Sequence, residues 1–201
     1  RTSSTRNTLS NSDQPGHGDF IISFDDPYDW RLPQNDNLWQ GVDGVNNPCP
    51  VGYRLPTEAE WQAERASWSS TNSAGAYGSP LKLPVAGYRS YEDGMLYLVG
   101  LYGIYWSSSV DGTEANHLLF YGGDAPVSTG RRSYGHSVRC RKAGALVTLV
   151  IDIEGNGSVD PVGGTFEEGS EVELTATPAE GWVFARWEGD VPGGSSTTGN
   201  P

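Results

Sequence analysis

Asn47-Pro48-Cys49-Pro50-Val51-Gly52-Tyr53-Arg54-Leu55-Pro56-Thr57-Glu58-Ala59-Glu60-Trp61 is the stretch on which the reading of the fold turns. Thr57 and Glu60 have the spacing of a capping box. The N-cap hydroxyl accepts from the backbone N–H three residues on, and the carboxylate there accepts from the N-cap in return. Pro56 closes the extended segment ahead of the cap. The pattern predicts a helix from Glu58 to about Ser67, with Ala59, Ala63 and Ala66 sharing one face. Cys49 stands just before it.

Toward the C-terminus the pattern becomes short strands with turns. Leu81–Arg89, Gly103–Ser109, Ala115–Tyr121 and Gly135–Arg141 read as strands, with hairpin residues at Asp111-Gly112 and a second turn at Gly122-Gly123-Asp124. Toward the N-terminus, Phe20–Phe24 reads as a strand. The Asp/Asn/Pro-rich segment 25–50 reads as a packed loop, because it holds Tyr28, Trp30, Leu38 and Trp39. Residues 1–18 carry too few apolar side chains to nucleate a core and are expected as a flexible arm.

A boundary falls near residue 144. Beyond it Val147, Leu149, Ile151 and Ile153 alternate with Thr148, Val150 and Asp152, and Gly155-Asn156-Gly157-Ser158 reads as a turn. Val172, Leu174 and Ala176 alternate with Glu171, Glu173, Thr175 and Thr177, a half-buried strand with its acids facing water. Trp182–Trp187 reads as a third strand. The expected domains are therefore an arm (1–18), a first domain (19–143) and a small all-β module (144–201).

Charge divides at the same place. The 201 residues hold 25 acids and 13 Lys+Arg, a net charge of −12. Residues 144–201 hold ten of the acids against the single base Arg186, a net −9, and residues 1–143 carry the remaining −3. An acidic chain lacks the clustered Lys/Arg that nucleic acid or an anionic membrane face requires. No apolar run approaches the ~20 residues of a membrane-spanning helix. Neither a nucleic-acid partner nor membrane insertion is therefore expected.

Catalytic patterns are missing. His17, His117 and His136 lack metal-ligand spacing, and there is neither a Gly-x-Ser-x-Gly nor a phosphate-binding glycine loop. Glu60 and Glu64 are neighbours on the predicted helix, but Glu60 is committed to the cap. The acidic loop Asp25, Asp26, Asp29 reads as a solvated turn, with calcium as the alternative that no motif supports. The chain is expected to be non-catalytic and to carry no cofactor.

Cys49 and Cys140 lie 91 positions apart. They read either as a bridge tying the start of the first domain to its end or as two reduced buried thiols. The acidic, Gly/Ser/Thr-rich flanks favour the bridge and a secreted or cell-surface location.

Two resemblances add to this reading. Asp29-Trp30-Arg31, Asn35–Gly41, Asn46–Trp61, Leu83–Arg89, Tyr105–Ser109 and Ser137–Cys140 resemble the Fibrobacter succinogenes major paralogous domain over about residues 16–143. That family is similar to sulfatase-modifying-factor and C-type-lectin-like domains. The resemblance implies an α+β, C-type-lectin-like fold with Cys49 and Cys140 bridged. It implies no catalysis, and the calcium-dependent sugar-binding motifs of such lectins are absent. Gly155–Val159, Gly163–Phe166, Gly169–Pro178 and Gly181–Asp190 resemble the internalin B-repeat-like family, implying a small β-grasp-like surface module over residues 147–201. Members of that family continue past an Asn-Pro such as Asn200-Pro201 into a closing strand. The edge left here is expected either to be completed by further chain or to accept a neighbour's arm, with Leu9 as its one apolar side chain.

The expected function is that of an extracellular bacterial structural or assembly protein, a subunit of a surface appendage or filament, with other copies of itself or cell-surface components as partners. The alternative is a surface adhesin that binds a glycan or protein through the face formed by 107–136. Tyr91, Tyr97, Tyr102, Tyr121, Arg131, Arg132, Tyr134 and His136 are its candidate contacts, weighed against half-buried core tyrosines. Asn156 begins a glycosylation sequon that also reads as a tight turn, and Ser195, Ser196, Thr197 and Thr198 are candidate O-glycosylation sites or a plain loop.

Overall fold

The capping box forms as its spacing predicts. Thr57 Oγ1 accepts from the Glu60 N–H at 3.3 Å, Glu60 Oε2 accepts from the Thr57 N–H at 2.8 Å, and helix α1 (Glu58–Ala66) follows. In the computed structural model, which describes residues 4–168 and 172–189, Glu60 is also gripped by Arg54 through two hydrogen bonds of 2.7 and 2.8 Å. Arg141 closes on the same carboxylate from the far end of the domain. Thr57→Ala is expected to cost about 1 kcal/mol by removing the cap, read as a lower urea midpoint with an unchanged slope. An unchanged midpoint would show that Arg54 and Arg141 alone set the helix start.

The helix turns Trp61 inward, while Ala59, Ala63 and Ala66 face solvent. Trp61 packs with Trp68, Ala76, Leu83, Tyr105, Leu118, Phe120 and Ala125 into the core of the first unit. Its indole N–H donates to the Trp106 carbonyl at 3.1 Å, so the largest core side chain leaves no buried donor unpaired.

The chain falls into two units, Arg1–Ala143 and Gly144–Pro201. In the first, β1 (Thr5–Arg6) pairs in parallel with β2 (Phe20–Ile21), β3 (Tyr53–Arg54) pairs with β9 (Arg141–Lys142), and β4 (Tyr88–Arg89) pairs with β5 (Leu96–Tyr97). Helix α2 (Ser73–Gly78) is capped by Asn72. The one larger sheet is antiparallel, in the order β6 (Gly103–Asp111), β7 (Glu114–Phe120), β8 (Val127–Arg131). Its first hairpin turns at Gly112-Thr113, with Gly112 at φ 54°. Phe120 leaves no room for a side chain at Gly103, where a Cβ would meet its ring at 2.0 Å. Cys49 and Cys140 are disulfide-bonded, beside the β3–β9 pair.

This architecture corrects the α+β, lectin-like expectation. Among the described residues helix is confined to α1 and α2, nine and six residues long, and the rest of the regular structure is strands in small sheets. A strong local cap sets where a helix begins, but the Ser-rich segment after α1 and the prolines Pro80 and Pro84 after α2 stop each helix short, so the structure is mostly β. Two expected strands are also shorter than read. Of 81–89 only Tyr88–Arg89 pairs as a strand, and of 20–24 only Phe20–Ile21. Gly135–Arg141 makes isolated bridges to Arg89 and Tyr105 instead of a continuous strand.

The segment read as an arm is tied to its own unit. Besides β1, the Ser10 N–H donates to the Trp30 carbonyl at 3.0 Å, and the Ser10 carbonyl accepts from Leu32 at 2.8 Å. Leu9 is half-buried.

In the second unit, β10 (Leu146–Val150) pairs antiparallel with β12 (Gly163–Glu167), and β11 (Gly157–Asp160) pairs antiparallel with β13 (Thr175–Pro178). The described residues thus form two separate two-stranded ladders rather than one β-grasp sheet. The inward side chains Val172, Leu174 and Ala176 are half-buried and alternate with exposed Glu173, Thr175 and Thr177, as the period of two predicts. Trp182–Trp187 is not a strand. Its Phe184 and Trp187 rings approach to 5.2 Å and satisfy each other locally.

Candidate functional site

Four of the residues singled out by sequence, Tyr91, Arg131, Tyr134 and His136, meet in one aromatic network. Arg131 ends β8, and its guanidinium carbon lies 3.7 Å from the Tyr28 ring centroid and 4.7 Å from that of Tyr91. It also donates to the Tyr91 hydroxyl. Its charge is spent between two rings rather than offered to a ligand. Tyr134 sits edge-on to Tyr91 at 4.7 Å and to Tyr88 at 5.4 Å, and stacks on His136 at 5.2 Å.

His136 in turn lies 4.1 Å from the Trp106 ring and 5.0 Å from that of His117. The two imidazoles meet over Gly130, where a Cβ would stand 3.2 Å from His117 Nδ1 and 3.7 Å from His136 Nε2. His136 as a whole is half-buried, but neither of its ring nitrogens reaches solvent or a hydrogen-bond partner among the described residues, nor does His117 Nδ1. Burial lowers the His117 pKa to about 4, against a small upward pull from Glu114. Burial, with His117 beside it, holds His136 well below the usual histidine range. Both rings are neutral at physiological pH.

The remaining candidates lie elsewhere. Arg132 fastens the 25–37 loop, with Asp36 at 2.7 Å, Asp29 at 3.9 Å and the Gly112 carbonyl at 2.8 Å. Asp29 is only 3% exposed and also takes the Arg31 N–H and the Gln34 amide, so it serves to hold this loop. Among the described residues, no three His, Cys, Asp or Glu side chains are grouped to share a metal ion. Tyr121 stacks on Tyr102 at 5.1 Å, away from the network, whereas Tyr97 donates to Asp93 at 2.6 Å and stacks at the network's edge on Tyr88 at 5.9 Å. Asn156 is exposed. Ser195, Ser196, Thr197, Thr198, Asn200 and Pro201 lie outside the described residues.

Beside the network runs a cleft of about 780 Å³, walled by Trp30 and Trp39 from the 25–50 loop and by Trp106, Tyr134 and His136 from the sheet side. Trp39 and Asn46, both at the cleft, adopt φ of 63° and 57°, a left-handed backbone that is rare for a tryptophan. Sequence reasoning placed the contacts on 107–136 and took Trp30 and Trp39 as loop packing. Two tryptophans in an Asp/Asn/Pro-rich loop were the available signal, since such a loop needs no large aromatic to turn.

The cleft's charged groups are paired with one another or with neighbours. Asp13 lies 2.7 Å from Arg31 Nε, as an ion pair rather than an aligned hydrogen bond, and accepts from Asn35. Asp19 holds Ser4 and Arg6, and the Ser4 hydroxyl foremost lowers its pKa. Its neutral groups are not so engaged. Trp61 and Trp68 spend their indole N–H groups on Trp106 and Glu64, whereas those of Trp30, Trp39 and Trp106 meet no acceptor among the described residues. The same holds for the Tyr134 hydroxyl and for the Gln14 and Asn46 side-chain amides.

The family model of the divergent InlB B-repeat domain matches residues 147–201, which bears out the reading of that segment as a B-repeat-like module. Domains of this kind are bacterial surface modules, and the Cys49–Cys140 bridge fits an extracellular location. The match does not extend to residues 16–143 and lends no support to the resemblance drawn there. No curated protein and no solved structure matches the chain. No helix among the described residues is long and apolar enough to cross a membrane.

Proposed function

We propose that the chain is an adhesive binding module of a bacterial surface protein. The first unit takes a ligand in the tryptophan-walled cleft, and the B-repeat-like unit acts as an acidic, soluble spacer. The observation that carries this reading is the cleft itself. Two half-buried indoles, Trp30 and Trp39, open onto one concavity backed by the buried Trp106, with Trp39 held in a left-handed backbone, and aromatic anchors dominate contact energy. The assembly reading has less behind it. Its donor segment is already paired with its own unit through β1 and Ser10, and its acceptor edge at Asn200-Pro201 lies outside the described residues.

Beads coated with the full chain are expected to adhere to at least one of three surfaces: immobilised polysaccharide, mucin or matrix protein. The Trp30→Ala, Trp39→Ala double variant should reduce the adhering fraction at least about tenfold, the size expected when a central aromatic anchor is truncated. Beads that adhere to none of the three surfaces, or equally well with the double variant, overturn the reading.

A further inference from the structure

We infer that the occupant of the cleft is an uncharged glycan, bound without a metal ion. The inference rests on the adhesive reading above and names its ligand class.

The argument lies in which groups at the cleft are engaged and which are not. Every charged group there has a partner inside the protein: Asp13 has Arg31, Asp19 has Arg6 and Ser4, and Arg132 has Asp36 and Asp29. An anionic sugar needs a free cation, preferably a guanidinium that can engage its carboxylate or sulfate with two hydrogen bonds. Arg132 cannot turn to one without giving up Asp36 at 2.7 Å, the Gly112 carbonyl at 2.8 Å and its place as the cation facing buried Asp29. Arg131, the nearest alternative, is clamped between Tyr28 and Tyr91. A cationic ligand meets the same obstacle, because Asp13 and Asp19 are already neutralised. The same pairing leaves neither carboxylate free as a ligand for calcium.

The unengaged groups are all neutral. Apart from the His136 ring nitrogens, which solvent does not reach, they are three indole N–H donors, a phenol hydroxyl that both donates and accepts, and two carboxamides that do the same. They stand beside flat aromatic faces. A pyranose matches that set, with C–H faces to lie on the rings and hydroxyls around its rim to accept from indole and exchange with amide. A proline-rich peptide would also use indole faces and N–H donors. However, its backbone offers carbonyl acceptors and almost no donors, and would leave the acceptor oxygens of Gln14 and Asn46 unused.

The test is titration calorimetry of the full chain against neutral polysaccharides (mannan, galactan, a soluble β-glucan), acidic ones (polygalacturonate, hyaluronan, a sialylated mucin glycan) and a polyproline peptide. Each is measured at 50 and 500 mM salt and with a chelator. Saturable binding to a neutral glycan is expected, changing less than about twofold with salt, because no ion pairs are formed, and unchanged by the chelator. Trp39→Ala should weaken it roughly 30-fold and Trp39→Phe by less, since the ring face remains. Gln14→Ala with Asn46→Gly, which keeps the left-handed backbone at position 46, provides a second variant that folds if Trp39→Ala does not, and should weaken binding about 10-fold. Binding confined to the acidic glycans or to the peptide, or abolished by the chelator, overturns the neutral-glycan inference while leaving adhesion intact. Adhesive beads with no saturable glycan binding do the same. Beads that never adhere overturn both.

Discussion

Opening the Cys49–Cys140 bridge, by reduction or by replacing both cysteines with serine, is expected to cost the first unit about 4–5 kcal/mol. The bridge closes a 91-residue loop, and the entropy it removes from the unfolded chain grows with loop length. That loss equals roughly 10–20 °C in midpoint for a unit of this size. It is large beside the 5–15 kcal/mol by which domains are ordinarily stable. The loss should be confined to Arg1–Ala143, because the second unit contains neither cysteine. Thermal unfolding followed by near-ultraviolet circular dichroism, with and without reductant, measures it. A shift of under about 2 °C would mean that β3–β9 and the Glu60 contacts already hold the loop ends together in the unfolded chain.

Acid is expected to do comparable damage. His117 and His136 are neutral in the fold, so above the unfolded histidine pKa of 6.5 neither state carries a proton there and no stability is lost. Between 6.5 and about 4 the unfolded chain takes up protons that the native His117 refuses, and stability falls as the pH falls. The His117 shift alone amounts to about 3 kcal/mol by pH 4, below which it contributes no further loss. His136 acts in the same direction. Urea midpoints between pH 7.5 and 4.5 should therefore drop steeply for the natural chain and less for His117→Leu, which is neutral in both states. Parallel curves for the two proteins would place the acid sensitivity in the carboxylates instead.

Sequence reading succeeded where the interactions are local. Thr57 and Glu60 are three residues apart, so their mutual caps can be read without knowing what surrounds them. The same is true of the β6–β7 hairpin, whose turn needs a glycine at positive φ, and of the alternation through Ala176. The disulfide followed from composition and resemblance. The partners of β3 and of β1 were not legible, since each strand is two residues long, and that of β3 comes from the other end of the unit. Nor was the overall class: the α+β expectation came from the resemblance, and the one capped helix read at Glu58 gave no measure of how little helix would follow. The candidate site was half legible. Arg131, Tyr134 and His136 do come together, but Arg131 is consumed by Tyr28 and Tyr91, which lie 103 and 40 positions away. Whether an arginine is free for a ligand depends on contacts of that range. Trp182–Trp187 failed for a different reason: a run of apolar residues resembles a strand, but among the described residues it pairs with none and its Phe184 and Trp187 rings meet each other instead.

The covalent link between residues 49 and 140 also governs how the first unit bears tension. A pull along the chain passes directly from Cys49 to Cys140, and the loop between them, roughly 300 Å of extensible chain at about 3.3–3.6 Å per residue, is shielded from the force. Trp106, Tyr134 and His136 belong to the shielded loop, whereas Trp30 and Trp39 are on the stretch that takes the strain. Tension applied at both ends of the first unit would thus draw one wall of the cleft away from the other, leaving Trp106, Tyr134 and His136 in place.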